Sequence, residues 1–278
     1  MLTRSHYSPG PAVGHNAGMD LLFPAYRPQL TDEDLLKLYA WPEHPFLRTN
    51  MVSTVDGMVR GPDDRSESIS SGADKRVFHM LRGTCDAVIV GAGTVRTENY
   101  RALPAHRKWQ QWQSYQRQDS HRITPIVVVS NRGEFAPTAR LFDSPHGAVI
   151  VAVPDSVATR VRQDLPVNVE VVACGSSTVE LPELLTLLID RKHTRLLTEG
   201  GPSLLAALWP QVAELCLTTS PHVLGASGGI TRPSPDLFGG QQLGPNASSA
   251  VTLRHLILAD GSLLASWQRQ PDSSLMGT

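Results

Sequence analysis

The segment Thr198-Glu-Gly-Gly-Pro-Ser-Leu204 sets a carboxylate, two adjacent glycines, a proline and a hydroxyl in the order that phosphate binding uses. An apolar run from Arg195 to Thr198 leads into Gly200 and Gly201, where the missing Cβ lets backbone approach a ligand closely. Pro202 suits the first turn of a helix, whose unpaired N–H groups and positive dipole end attract anions, and Ser203, Leu204 and Leu205 follow in that turn. The same residues also satisfy a purely steric strand-to-helix turn, so both readings stand at this level. A second glycine pair, Gly91-Ala-Gly-Thr94, follows the apolar run Ala87 to Val90. It begins like a dinucleotide fingerprint, but Arg96 occupies the place of the third glycine, so that motif is broken.

Three further positions have chemistry available. Ser130-Asn-Arg132 puts a hydroxyl beside a guanidinium, a pair suited to a phosphate monoester such as the 2′-phosphate of NADPH, and equally suited to a solvated turn. Asp56, in Ser53-Thr-Val-Asp-Gly57, is an acid at the end of a strand: it faces a crevice or makes an Asx-turn. Arg82 closes a helix, where it meets a substrate anion or the helix dipole. Gly225-Ala-Ser-Gly-Gly229 spells G-x-S-x-G, but Pro233 and Pro235 forbid the helix a nucleophile elbow needs. The basic and aromatic stretch Arg101 to Arg122 reads as an amphipathic lid or packing helix, with Trp109, Trp112 and Tyr115 three apart. Ten histidines and three cysteines show no metal-ligand spacing.

The elements that must position these residues alternate between strand-length apolar runs and helical segments. Strands are expected at 46–55, 86–91, 123–130, 148–153, 169–173, 195–198, 215–219, 251–258 and 262–267. Helices are expected from Thr31, over 71–82, 157–163 and 182–190, and from Pro202 to Trp209. Ser71-x-x-Asp74 and Thr31-x-x-Asp34 both spell capping boxes. Val/Ile runs separated by helices imply an α/β three-layer αβα sandwich with a mostly parallel, mixed sheet, and the helix-poor tail implies an antiparallel C-terminal edge. Residues 1–20, rich in Gly, Pro, Ser and His, read as a mobile leader before one domain at 21–278. The chain has 278 residues and a formal charge of −1, a balance that argues against nucleic-acid binding. No run is long and apolar enough to span a membrane, and the sparse cysteines fit a reducing cytoplasm.

Taken in order, Ser53-Thr-Val-Asp-Gly57, Leu81-Arg82, Gly93-Thr-Val-x-x-Glu98, Val129-Ser130-Asn-Arg132 and Thr198-Glu-Gly-Gly-Pro-Ser-Leu204 resemble the reductase domain of bacterial riboflavin biosynthesis, a pyrimidine-reductase family with a dihydrofolate-reductase-like fold. The resemblance runs from about Leu47 to Gln268. It implies NADPH-dependent hydride transfer to the ribosyl C1′ of 5-amino-6-(5-phosphoribosylamino)uracil, a small-molecule substrate, and a homodimer. It implies that Ser53, Thr94, Glu98 and Ser130 contact the cofactor and that the turn from Gly201 holds its pyrophosphate. Ser66, Arg82 and Glu199 would contact substrate, and Asp56 or Glu199 would orient or supply the proton. Where the family usually carries a lysine and a tryptophan, this chain has Asn50 and Ser68. The zinc-ligand set of the fused deaminase has no counterpart here.

Overall fold

The structure is a computed structural model and describes residues 18–101, 123–135, 139–143, 148–225, 236–241, 243 and 250–269. In chain order its strands are β1 (Asp20–Phe23), β2 (Phe46–Thr54), β3 (Ala87–Gly91), β4 (Ile126–Val129), β5 (Val149–Val153), β6 (Glu170–Ala173), β7 (Arg195–Thr198), β8 (Glu214–Ser220), β9 (Val251–Ala259) and β10 (Ser262–Arg269). The helices are α1 (Asp32–Leu38), α2 (Gly72–Thr84), α3 (Ala92–Thr97), α4 (Asp155–Asp164), α5 (Leu181–Asp190) and α6 (Pro202–Leu208). All ten strands form one sheet in the order β1-β9-β10-β8-β2-β7-β3-β4-β5-β6. From β8 to β6 the neighbours are parallel, and β1, β9 and β10 add the antiparallel edge.

Period-two alternation splits the apolar runs between two cores. Val88 and Val90 of β3 enter one with Val77, Met80 and Leu81 of α2 and Val161 of α4; Ala87 and Ile89 enter the other with Leu184 and Leu188 of α5 and Leu205 and Leu208 of α6. The chain order explains the split. Strands β2 to β6 step in one direction across the sheet and the return to β7 steps back, so right-handed crossovers place the two helix sets on opposite faces. This is the three-layer sandwich the sequence implies.

Several boundaries differ from expectation. The expected leader meets the described chain only at 18–20, where Met19 is buried and Asp20 opens β1, so the folded part starts before residue 21. The turn at Gly91 continues as α3, because Gly91 takes the N-cap position and Ala92-Gly-Thr-Val supplies a short helical turn. The helix from Pro202 tightens into a 3-10 turn at Trp209–Gln211. Thr31 and Asp34 do form a reciprocal capping box. The lid segment 102–122 and the serine motif's Ser227 lie outside the described residues.

Away from the crevice, one ionic cluster fixes β2 to β8. Arg48 donates to Glu214 from Nε at 2.9 Å and from its terminal NH2 nitrogen at 2.7 Å, both side chains being wholly buried. The Tyr39 and Ala40 carbonyls take further N–H groups of Arg48, Trp41 stacks on it at 4.2 Å, and Ser266 donates to Glu214. Both oxygens of Glu214 and all three nitrogens of Arg48 have partners there, which is the condition for a tolerable buried ion pair.

Candidate active site

Strand β7 lies between β2 and β3. Because α2 leaves β2 on one face and α6 leaves β7 on the other, the carboxyl ends of these strands part at a topological switch point, where α/β sheets bind ligands. A cavity of about 450 Å³ opens there. Its wall includes Asn50 and Met51 from β2, Ser66 and Ser70 from the connection to α2, Asp74, Phe78 and Arg82 from α2, and Thr94 and Glu98 beside α3. Tyr100, Glu199, Gly201 and Pro202 complete this part of it.

Glu199 sits just past β7 with its side chain 3% exposed. Arg82 Nε donates to Oε1 at 2.5 Å, a second Arg82 nitrogen donates to Oε2, and the Tyr100 hydroxyl donates to Oε2 at 2.5 Å. Phe78 lies flat against the guanidinium at 4.0 Å and Tyr100 at 5.2 Å. Burial alone would lower the Arg82 pKa, but the Glu199 carboxylate outweighs it and raises the value. Burial and the same carboxylate push the Tyr100 phenol well up. The trio is therefore a rigid wall of one cation, one anion and one neutral hydroxyl.

The glycine turns meet beside it. Gly91 N–H donates to the Gly200 carbonyl at 2.9 Å, and Glu199 N–H to Ile89 at 3.1 Å. At Gly201 an added Cβ would stand 2.7 Å from Thr94 Oγ1, whereas at Gly93 it would meet nothing within 4 Å. One glycine makes room for the Thr94 hydroxyl against the turn, and the other leaves open space. Such a paired backbone cradle fits a dinucleotide diphosphate.

The remaining expected positions divide. Glu98 turns to the loop and accepts the Ser66 N–H at 2.8 Å, and both line the cavity. Ser130 accepts the Gly133 N–H at 3.0 Å and closes the turn after β4, with Arg132 exposed on that turn next to the β3 end. Ser203 lies at the α6 start and Leu204 packs partly against the core. Ser53 is buried in β2 and does not belong to the cavity wall. Leu205 is a core side chain whose N–H already bonds to the Gly201 carbonyl at 2.9 Å, so neither group is available to a cofactor. Ser68, at the departing tryptophan position, is turned to Asp63 at 2.6 Å.

Asp56 is held by its own neighbours. Thr54 donates to Oδ1 at 2.5 Å, and the Gly225 and Leu224 amides donate to Oδ2 at 2.7 and 3.1 Å. The Thr54 hydroxyl first, and then the Gly225 amide, hold its carboxyl below the ordinary range. An acid locked that way ties two loops together and is a poor proton donor. It is also absent from the cavity wall. Besides Glu199, the buried carboxyl of Asp74 also reaches the wall, and the sequence presents it only as half of a capping box. Tyr100 and Phe78 carry no sequence signal at all, since single aromatics read as packing.

The chain matches the RibD C-terminal domain over residues 45–250. It is 28% identical over 200 residues, 71% of this chain and 87% of the relative, to the 2,5-diamino-6-ribosylamino-4(3H)-pyrimidinone 5′-phosphate reductase of Archaeoglobus fulgidus. A pyrimidine reductase-like protein from Corynebacterium diphtheriae superposes with TM-score 0.69 at 22% identity, covering 86% of this chain and 99% of that one. The Thermotoga maritima diaminohydroxyphosphoribosylaminopyrimidine deaminase/5-amino-6-(5-phosphoribosylamino)uracil reductase superposes with TM-score 0.63 at 20% identity, covering 85% of this chain and 60% of that one. With the model of the family spanning most of the sheet and the whole of the crevice, this chain belongs to the RibD C-terminal domain family.

Proposed function

We propose that the protein is an NADPH-dependent reductase acting on a phosphoribosylamino-pyrimidine of riboflavin biosynthesis. The observation that carries this reading is the meeting of the Gly91–Thr94 and Gly200–Pro202 turns at the rim of a cavity walled by Arg82, Glu199 and Tyr100. Gly93, Thr94, Gly201 and Ser203 would hold the diphosphate, and Ser130 and Arg132 the adenosine end with its 2′-phosphate. Bound there, the reduced nicotinamide supplies the hydride. The protein's own part is to align the two reactants and exclude water.

Glu199, fixed by two donors, orients Arg82 and Tyr100 instead of giving up a proton. With its O–H given to Glu199, Tyr100 presents an oxygen acceptor toward the substrate, and the outer edge of Arg82 presents donors. Lys75, Arg60 and Arg101 also border the cavity and supply positive charge for a ribose phosphate, in place of the lysine that Asn50 replaces.

A homodimer and a cytoplasmic location complete the proposal. Leu258 and Leu263 pair across β9 and β10 at 41% and 39% exposure, and Leu22 on β1 adds 39%, an apolar strip on the open face of the antiparallel edge that suits a second copy. All three cysteines are free and buried, as a reducing compartment allows. Among the described residues no helix is long and apolar enough to cross a membrane.

The test is steady-state NADPH oxidation with the phosphoribosylaminouracil, with its 2-amino pyrimidinone counterpart and with dihydrofolate. Turnover of a phosphoribosyl compound is expected. Turnover of dihydrofolate alone would move the protein to another ring, and tight NADPH binding without turnover of any would make it a silent binding module.

A further inference from the structure

Asp74 opens the first turn of α2, is 5% exposed, and still lines the cavity. Only one half of its capping box forms. Ser71 Oγ accepts the Asp74 N–H at 3.2 Å, but the Asp74 carboxyl takes hydrogen bonds from the Ser70 hydroxyl and from Thr218 of β8. Asp34 accepts the amide of its own cap Thr31, whereas the Asp74 carboxyl meets the hydroxyl just before its cap and one from β8 across the crevice.

Among the described residues no lysine or arginine lies within ion-pair distance of this carboxyl. Its neighbour Lys75 pairs with Glu67 at 3.2 Å, and Arg82 is taken by Glu199. A buried carboxyl so placed is unfavourable unless something completes its hydrogen bonding. The two hydroxyls fill about half of the roughly four acceptor positions of a carboxylate. The rest open toward the cavity, where an occupant that donates hydrogen bonds can reach them.

We propose that Asp74 reads the substrate ring, accepting hydrogen bonds from the ring N–H and exocyclic amine of a 2-amino-4-oxopyrimidine or 2-amino-4-oxopteridine edge, and so selects that ring over the uracil type. The reductase reading supplies the substrate class within which this choice is made. A 2-amino-4-oxo ring offers two adjacent donors, matching two carboxylate oxygens. A uracil ring offers a carbonyl in place of the amine, which sets oxygen lone pairs against oxygen lone pairs. Burial raises the Asp74 pKa, and a double donor favours the ionised form that the ring would need.

The experiment titrates the full-length protein at neutral pH with pterin and with lumazine, which carry an amine and a carbonyl respectively at that ring position, lumazine also gaining a hydrogen on the adjacent ring nitrogen, following tryptophan fluorescence. Pterin is expected to bind at least about tenfold more tightly. Asp74→Asn should reverse the preference, because its amide offers one acceptor and one donor and so matches the uracil-type edge. Equal affinities in the unmodified protein, no binding of either ring, or a folded Asp74→Asn protein that keeps the pterin preference would each overturn the proposal. If that variant does not fold, the comparison in the unmodified protein decides alone. Should pterin be preferred while neither phosphoribosyl compound is turned over, the reductase reading fails and the role of Asp74 stands.

Discussion

Glu199 accepts at both oxygens, so its removal exposes what each neighbour depended on. Glu199→Gln should leave the Arg82 guanidinium buried and half-paired, lowering kcat/KM by at least about 30-fold and stability by on the order of 3 kcal/mol. Steady-state kinetics and urea titration measure both. Asp56→Asn, by contrast, should change kcat by less than about threefold, since that carboxyl serves Thr54 and the 224–225 amides. A loss as large as that of Glu199→Gln would return Asp56 to the chemistry. Arg132→Ala should narrow the preference for NADPH over NADH by about 1.5–3 kcal/mol, read as the ratio of the two dissociation constants. An unchanged ratio removes Arg132 from the site. Glu199 and Arg82 were legible because they flank motifs, whereas Tyr100 and Asp74 gain their roles only from burial and from partners 99 or more residues away.

The two glycine turns separate a structural role from a binding role among the elements. Gly201→Ala drives a Cβ to 2.7 Å from Thr94 Oγ1, so the Thr94 hydroxyl must shift, and both Tm and NADPH affinity should fall. Gly93→Ala meets nothing in the protein. It should hold or raise Tm while weakening NADPH by at least about tenfold, because the methyl fills the space left for the ligand. Thermal melts with and without NADPH distinguish the two outcomes; unchanged affinity in Gly93→Ala would contradict the cradle. The parallel strands were readable in sequence because buried Val/Ile runs such as Ile126–Val129 tolerate few other structures. Helix α3 was not, since it is six residues long with Gly93 inside it and is stabilised by packing beside β3 and β4. Strand β1 was hidden for a similar reason: its four residues form a strand only by pairing with β9.

For the molecule as a whole, the buried cluster joining α1, β2, β8 and β9 sets the response to acid. Burial, with Arg254 and Arg48 nearby, lowers the His255 pKa from 6.5 to about 4 against the opposing pull of Glu214. The unfolded chain then binds the proton more readily, so this stability is complete above pH 6.5 and is lost as pH falls toward 4, on the order of 3 kcal/mol. Burial alone would raise the Glu214 pKa, but Arg48 and Ser266 hold it low, and its contribution is lost on further acidification through and below the ordinary carboxyl value. Asp74 has the opposite sign: its raised pKa withdraws stability as pH rises past the unfolded value. Urea unfolding from pH 7 to 4 should show the net loss, and His255→Gln should flatten it. All of this serves to hold one crevice open between β7 and its neighbours, and the central claim concerns what happens there. The most direct measurement is NADPH consumption by the pure protein with 2,5-diamino-6-ribosylamino-4(3H)-pyrimidinone 5′-phosphate, with the product identified by mass. One ribitylamino product for each NADPH oxidised is the predicted result; bound NADPH that stays unoxidised in the presence of saturating substrate would contradict it.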